Sequence, residues 1–117
     1  MWGEVEAEPE VDDWLRMLSG DQFGHAAFYI DLLAAQGPSL SEPYTRQLRG
    51  KLRELRFHLT GEQYRIAYYI ANGRRIVLLT VFHKAQRRAP TEVERAWRAM
   101  LTCIAAGHTV EDDDDSP

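Results

Sequence analysis

The sequence predicts an α+β fold: a small antiparallel sheet of three to four strands, packed by two N-terminal helices and one C-terminal helix. Three observations carry this. Apolar residues recur at three- and four-residue intervals before residue 37 and again after residue 90, the helical period. Between residues 52 and 82 the period changes to two, the period of a strand. Within that stretch Asn72-Gly73 is a strong two-residue hairpin signal. A chain of 117 residues has the length of one domain. Residues 1–108 are expected to form it, followed by an acidic, self-repelling, disordered tail over 109–117.

Trp2 and Val5, set among polar residues, suggest a short edge strand. Val11 to Leu18 reads as a helix with Trp14, Leu15 and Leu18 on one side. Ser19 and Gln22 then form a capping box, and Phe23, Ala26, Ala27, Ile30, Leu33 and Ala34 continue a second helix that Gly37-Pro38 ends. Residues 38–50, rich in Ser, Pro and Gly, read as a loop. Leu52–Leu59 and Tyr64–Ala71 alternate, and Arg75–Phe82 is nearly continuous in apolar residues, as a central strand should be. Pro90, Thr91 and Glu94 open the last helix with a second capping box. Its stripe is Val93, Trp97, Met100, Leu101 and Ile104, and Gly107 ends it.

Composition excludes several classes. With 44% hydrophobic and 27% charged residues, the chain is neither disordered nor collagen-like. Its longest apolar run is too short to span a bilayer, and the acidic start lacks the apolar segment of a signal peptide. The expectation is a cytoplasmic protein with no membrane contact. Cys103 stands alone, so no disulfide and no cysteine-built metal site is expected. No glycine-rich phosphate loop occurs, and neither a metal nor a cofactor is indicated. Charge is the informative quantity. Residues 1–43 carry −8 and residues 89–117 carry −5, whereas residues 44–88 hold eleven bases against two acids, giving +9. A basic middle between acidic ends suggests a polyanion site that the net charge of −4 conceals.

Hairpin register indicates which side chains meet. A two-residue loop at Asn72-Gly73 sets Ala71 opposite Arg74 and Arg65 opposite Thr80. A first hairpin with its apolar sets on one core side sets His58 opposite Arg65 and Arg56 opposite Ala67. Glu54, Arg56, His58, Arg65, Tyr69 and Lys84 then share one face. Tyr64, Ile66, Tyr68, Val77, Leu79 and Val81 lie on the other, under the helices. Guanidinium groups fork onto phosphate oxygens, an ammonium acts as a point charge, and tyrosine stacks on a base. His83, Lys84, Arg87 and Arg88 extend the cationic surface, and His58 or His83 is suited to proton transfer. Arg65→Ala is expected to abolish activity and spare the fold, since the guanidinium is read as facing away from the core.

Taken together, L-R-E-L-R-F from Leu52, Y-R-I from Tyr64, R-I-V-L-L-T-V-F-H-K from Arg75 and A-P-T-E-V-E-R-A from Ala89 resemble the RelE/ParE toxin superfamily. The likeness is to its HigB-like, phage-derived branch of type II toxin–antitoxin toxins. The resemblance implies a RelE-like fold and an mRNA interferase: a ribosome-dependent endoribonuclease in which the RNA 2′-hydroxyl attacks its own phosphate without a metal. It implies that Arg65 holds the scissile phosphate, with Arg56 and Lys84 as further cations. Some members carry a Tyr near the start of the last helix. Here Pro90, Thr91 and Glu92 stand there, which makes His83 the candidate base and His58 the second. Lys51, Arg53, His58, Tyr69, Arg87 and Arg88 complete the expected RNA-binding set. The implied partners are the ribosome, mRNA and a cognate antitoxin of helix-turn-helix type. The alternatives are a ParE-like gyrase poison and a non-catalytic RNA- or protein-binding module of phage origin.

Overall fold

The alternating stretch forms the middle of a five-stranded sheet in a computed structural model that describes residues 1–84 and 90–107, the Lys84 side chain excepted. The expected tail over 109–117, and Arg87 and Arg88, lie outside the described residues. The strands are β1 (Glu4–Ala7), β2 (Thr45–Arg49), β3 (Leu52–Leu59), β4 (Glu62–Ala71) and β5 (Arg75–Lys84). They lie in the order β1-β5-β4-β3-β2, with β1 parallel to β5 and every other pair antiparallel. The helices are α1 (Pro9–Arg16), α2 (Gly20–Gln36) and α3 (Pro90–Ala105). This is the α+β class that the sequence predicts, with one strand more. No helix among the described residues is long and apolar enough to cross a membrane.

The added strand is β2, which the composition of residues 38–50 concealed. Its residues T-R-Q-L-R alternate no apolar set, because it is an edge strand that buries only Thr45 fully. The Thr45 hydroxyl donates to Leu40 O at 2.5 Å and accepts from Arg53 Nη2 at 3.0 Å, which fixes the strand's entry.

Helices cover both faces of the sheet, not one. On the first face Val11, Ala26 and Leu33 of α1 and α2 pack on Leu55, Phe57, Ile66, Tyr68, Ile76 and Leu78. Trp14 joins them, its ring 5.5 Å from that of Tyr64. On the second face Ala96, Met100 and Cys103 of α3 pack on Leu52, Ala67, Tyr69, Val77 and Leu79. The Ser19–Gln22 capping box forms as expected, each partner's side chain meeting the other's backbone N–H at 3.2 Å. The Thr91–Glu94 box does not form. α3 already begins at Pro90, and the Glu94 carboxylate instead pairs with Arg49 and Arg98. Leu101, expected in the stripe, is 48% exposed, and Cys103 occupies the buried position. At the N-terminus Trp2 and Gly3 both donate to Ala34 O at 3.0 Å. Gly37, at φ +55°, gives the Trp2 ring its room: a Cβ there would lie 2.3 Å from it.

Both hairpin registers differ from the expected ones, and turn chemistry explains why. The β3–β4 turn is the two-residue Thr60-Gly61, both at positive φ, so Leu59 pairs with Glu62 and Arg56 with Arg65. The shift is an even number of residues, so the face assignment of β3 and β4 survives. The β4–β5 loop has three residues, Asn72 to Arg74, with Gly73 and Arg74 at positive φ, so Ala71 pairs with Arg75. That one-residue change moves Val77 and Leu79 to the face of Tyr69, under α3. A bulge then restores the earlier phase: Tyr68 pairs with Leu78 but Ala67 with Thr80, leaving Leu79 extra. Arg65 therefore lies opposite Phe82, and Val81 returns to the face of Ile66.

Candidate nucleic-acid interface

The second face of the sheet is apolar under α3 and becomes polar beyond Ala67. There β3 supplies Glu54, Arg56 and His58, and β4 supplies Gln63 and Arg65. Across the pairing Glu54 meets Ala67, Arg56 meets Arg65, and His58 meets Gln63. Lys84 follows on β5, opposite Gln63. Two arginines directly opposite one another repel. Glu54 is the side chain that makes the arrangement stable. The Arg65 guanidinium reaches diagonally across the strand pair to Glu54, whose direct partner in register is the small Ala67.

Arg65 Nη1 donates to Glu54 Oε2 at 2.8 Å, and Nη2 donates to Gln63 Oε1 at 3.0 Å. Glu54 is fully buried and Arg65 nearly so, at 0% and 3% exposure. Arg56 Nε stands 3.8 Å from the same Glu54 oxygen, and its side chain keeps 22% of its surface in solvent. Among the described residues its Nε makes no hydrogen bond. One carboxylate thus faces two guanidinium groups, Arg65 closely and the more exposed Arg56 at 3.8 Å. His58, exposed, follows two residues along the same side of β3.

The structure brings together Arg56, Arg65 and His58, and places Lys84 with them by register. It corrects the expectation that Arg65 points away from the core: this residue is an internal partner of Glu54, and Arg56 is the more exposed of the two arginines. It also corrects Tyr69. That ring lies at 0% exposure beneath α3, with its hydroxyl 3.6 Å from Cys103 Sγ, and is closed to a base. Lys51 sits at the β2–β3 turn, its ammonium 5.8 Å from the Tyr69 ring centroid. Arg53 lies on the opposite face, donating to Thr45 and, at 3.4 Å, to the Tyr68 hydroxyl. Burial pushes that Tyr68 hydroxyl above its ordinary pKa, and Arg53 pulls it back in part. His83 also lies on the opposite face, paired with Tyr64, and its Nε2 is 2.5 Å from Glu62 Oε1.

Two features were missed by sequence reasoning. Alternation places Glu54 on this face without revealing its role as buried counter-ion, for which the signal is a carboxylate in the middle of an alternating strand, two residues before an arginine. Tyr29, Pro43 and Tyr44 border Arg56 and His58 in a groove. No sequence signal pointed to it, because residues 38–50 read as loop. Among the described residues no three His, Cys, Asp or Glu side chains gather to hold a metal ion.

Fold and site together define a small α+β protein with a cationic end on one sheet face. The chain belongs to the family described as Phage derived protein Gp49-like (DUF891), which it matches over residues 13–100, a RelE-like toxin family. The match spans β2 to β5 and so contains every described residue of the cationic face. No curated protein matches the chain.

Proposed function

We propose that this protein is the toxin of a type II toxin–antitoxin pair, of the HigB-like kind, and that it cleaves mRNA on the ribosome without a metal. The observation that carries this reading is Arg56 itself, part-exposed on the cationic face and only loosely held, 3.8 Å from Glu54. A single buried carboxylate holds one arginine rigid and leaves the second partly open to an anion. Family membership supports a toxin.

The reaction asks for three things. A base removes the 2′-proton as that oxygen attacks the adjacent phosphorus. An acid protonates the departing 5′-oxygen. Cations take up charge that builds on the non-bridging oxygens. Arg56 is assigned to those oxygens. Arg65 is a positioning residue: fixed by Glu54 and Gln63, it keeps Glu54 occupied and adds to the positive field. His58 is assigned to proton transfer. It stands about 7 Å from Arg56 along the strand, the repeat of residues on one side, whereas His83 faces away. Lys84 adds a point charge from β5. The partners are the ribosome and mRNA, which sets the action in the cytoplasm, and an antitoxin that covers or distorts this face.

The test is cleavage of mRNA on programmed ribosomes by purified protein, with and without EDTA, beside Arg56→Ala and His58→Gln. Cuts that need the ribosome, survive EDTA and fall at least 100-fold in Arg56→Ala support the reading, a loss of the size expected for removing one transition-state contact. Intact mRNA from folded, antitoxin-free protein overturns it. A DNA-damage response in cells making the protein would then indicate gyrase poisoning.

A further inference from the structure

The groove beside Arg56 has a cause in the strand lengths. β2 begins at Thr45, opposite Leu55. β3 runs on to Leu59, and the last tie on that side is the Arg56 N–H to Tyr44 O, at 2.9 Å. The edge of β3 past Arg56 therefore borders an open groove, closed on its other side by α2 and the segment before β2. Its floor is fixed, because Tyr29 lies flat on Phe57, with centroids 5.5 Å apart and planes 11° apart. Its rim is Tyr44, 40% exposed and 6.3 Å from the Tyr29 ring. Arg56, His58 and Gln63 form the wall toward the cationic face.

This lining has two parts that one kind of ligand unites. An acidic peptide would use Arg56 and leave the tyrosines idle. An apolar peptide would use the tyrosines and strand the charges. A nucleotide supplies a flat π-surface and an anion on one unit. Gln63 adds selectivity. Its amide oxygen is taken by Arg65, so its amide nitrogen offers only donors, suited to a base edge that carries acceptors.

We propose that the groove between α2 and the β3 edge is a base-stacking subsite, in which Tyr44 receives the unpaired base next to the phosphate at Arg56. The inference rests on the RNA reading above and specifies how the strand lies on the site.

The test is binding of a labelled 12-nucleotide single-stranded RNA, 2′-O-methylated to prevent cleavage, followed by fluorescence anisotropy over a range of salt. The proteins are the full-length wild type, Tyr44→Leu, Tyr44→Phe and Arg56→Ala. Tyr44→Leu should weaken binding about tenfold with an unchanged salt dependence, and Tyr44→Phe should bind like wild type. Arg56→Ala should reduce the slope of log affinity against log salt by about one. A scan with one abasic nucleotide at each position should find a single position that weakens the wild type and at which Tyr44→Leu adds nothing further. Wild-type affinity in Tyr44→Leu, or equal loss at every abasic position, overturns the subsite and leaves the phosphate reading standing. No binding by the wild type overturns the subsite, while loss of cleavage on programmed ribosomes is what overturns the phosphate reading. The abasic scan needs no variant, so a misfolded Tyr44→Leu would not shield the proposal.

Discussion

Arg65 Nη1 lies 2.8 Å from Glu54 Oε2, with the two side chains 4% and 0% exposed. Removing either member of a charge pair this deep strands a buried ion without its closest counter-charge, and Arg56, 3.8 Å from the same oxygen, is a weaker substitute for Arg65. Arg65→Ala and Glu54→Ala should each cost about 3–5 kcal/mol, a large share of the roughly 5–15 kcal/mol that a domain possesses. The double change Glu54→Leu with Arg65→Met should recover much of that loss, since two apolar groups of similar volume replace the pair. Urea melts of the three variants check this. A wild-type midpoint in Arg65→Ala would show that the pair carries no stability, and would return Arg65 to the direct phosphate-holding role.

The two histidines near the ends of β3 and β5 should separate cleanly in an activity assay. His58 shares the face of Arg56. His83 lies on the other face, beside Tyr64, with its Nε2 against Glu62. Both are exposed, so neither substitution should shift the melting temperature by more than a few degrees. His58→Gln should slow ribosome-dependent cleavage by about 10²–10⁴-fold, the usual worth of a positioned proton-transfer group. His83→Gln should cut at the wild-type rate. The reverse result would sink the assignment of His58 and require the RNA to wrap around the end of the sheet.

Much of this arrangement is legible in the sequence, and the exceptions have physical causes. α2 is read correctly because its capping box and apolar repeat are local signals. The common face of Glu54, Arg56, His58 and Arg65 survives an error in the first turn, because the error is even. Val77 and Leu79 do not survive the second, because a third loop residue shifts β5 by one. The bulge at Leu79 then corrects the register for Val81 and Lys84, and nothing local in the sequence marks it. β2 is invisible because an edge strand needs no apolar alternation. The burial of Arg65 is the most consequential miss. Alternation assigns a residue to a face, but whether that face is covered depends on distant chain.

Tyr68 makes a prediction at high pH. Burial raises its pKa above the ordinary 10.0, against the smaller opposing effect of the Arg53 hydrogen bond. For a group whose folded pKa is raised, the stabilising contribution is complete below the unfolded value and is lost as pH rises through the folded one. Tyr68 should therefore leave stability unchanged through neutral pH and erode it above pH 10.0. Tyr68→Phe should be about 1 kcal/mol less stable at pH 7, where Arg53 loses an acceptor. The gap between variant and wild type should close as pH rises above that value. Urea midpoints for both proteins from pH 7 to 11 test it. A constant gap over the whole range would mean that the phenol titrates alike in the folded and unfolded chains.

Glu10 should contribute more through the backbone than through its ion pair. Its Oε2 accepts from Val81 N at 3.1 Å, just past the bulge, and its Oε1 accepts from Arg95 Nη1 at 2.6 Å. One carboxylate on α1 thus ties β5 to the first turns of α3, across the two faces of the sheet. The Arg95 pair is 44% and 38% exposed, and pairs that open are worth at most about 1 kcal/mol. The Val81 N–H is different, because it lies beyond the last β1 partner on β5, Leu78, and Glu10 is the acceptor that meets it. Glu10→Ala should then cost about 1–3 kcal/mol, the penalty of leaving a partly buried donor unmet. Arg95→Ala should cost less than 1 kcal/mol, and the coupling between the two in a double-mutant cycle should be below 1 kcal/mol. Amide hydrogen exchange locates the effect: in Glu10→Ala the Val81 amide should lose protection, while Leu78, whose carbonyl accepts from Glu8 N at 2.9 Å, keeps its own. An unchanged Val81 exchange rate would show that this part of β5 is held by the sheet alone and that Glu10 serves only the surface pair.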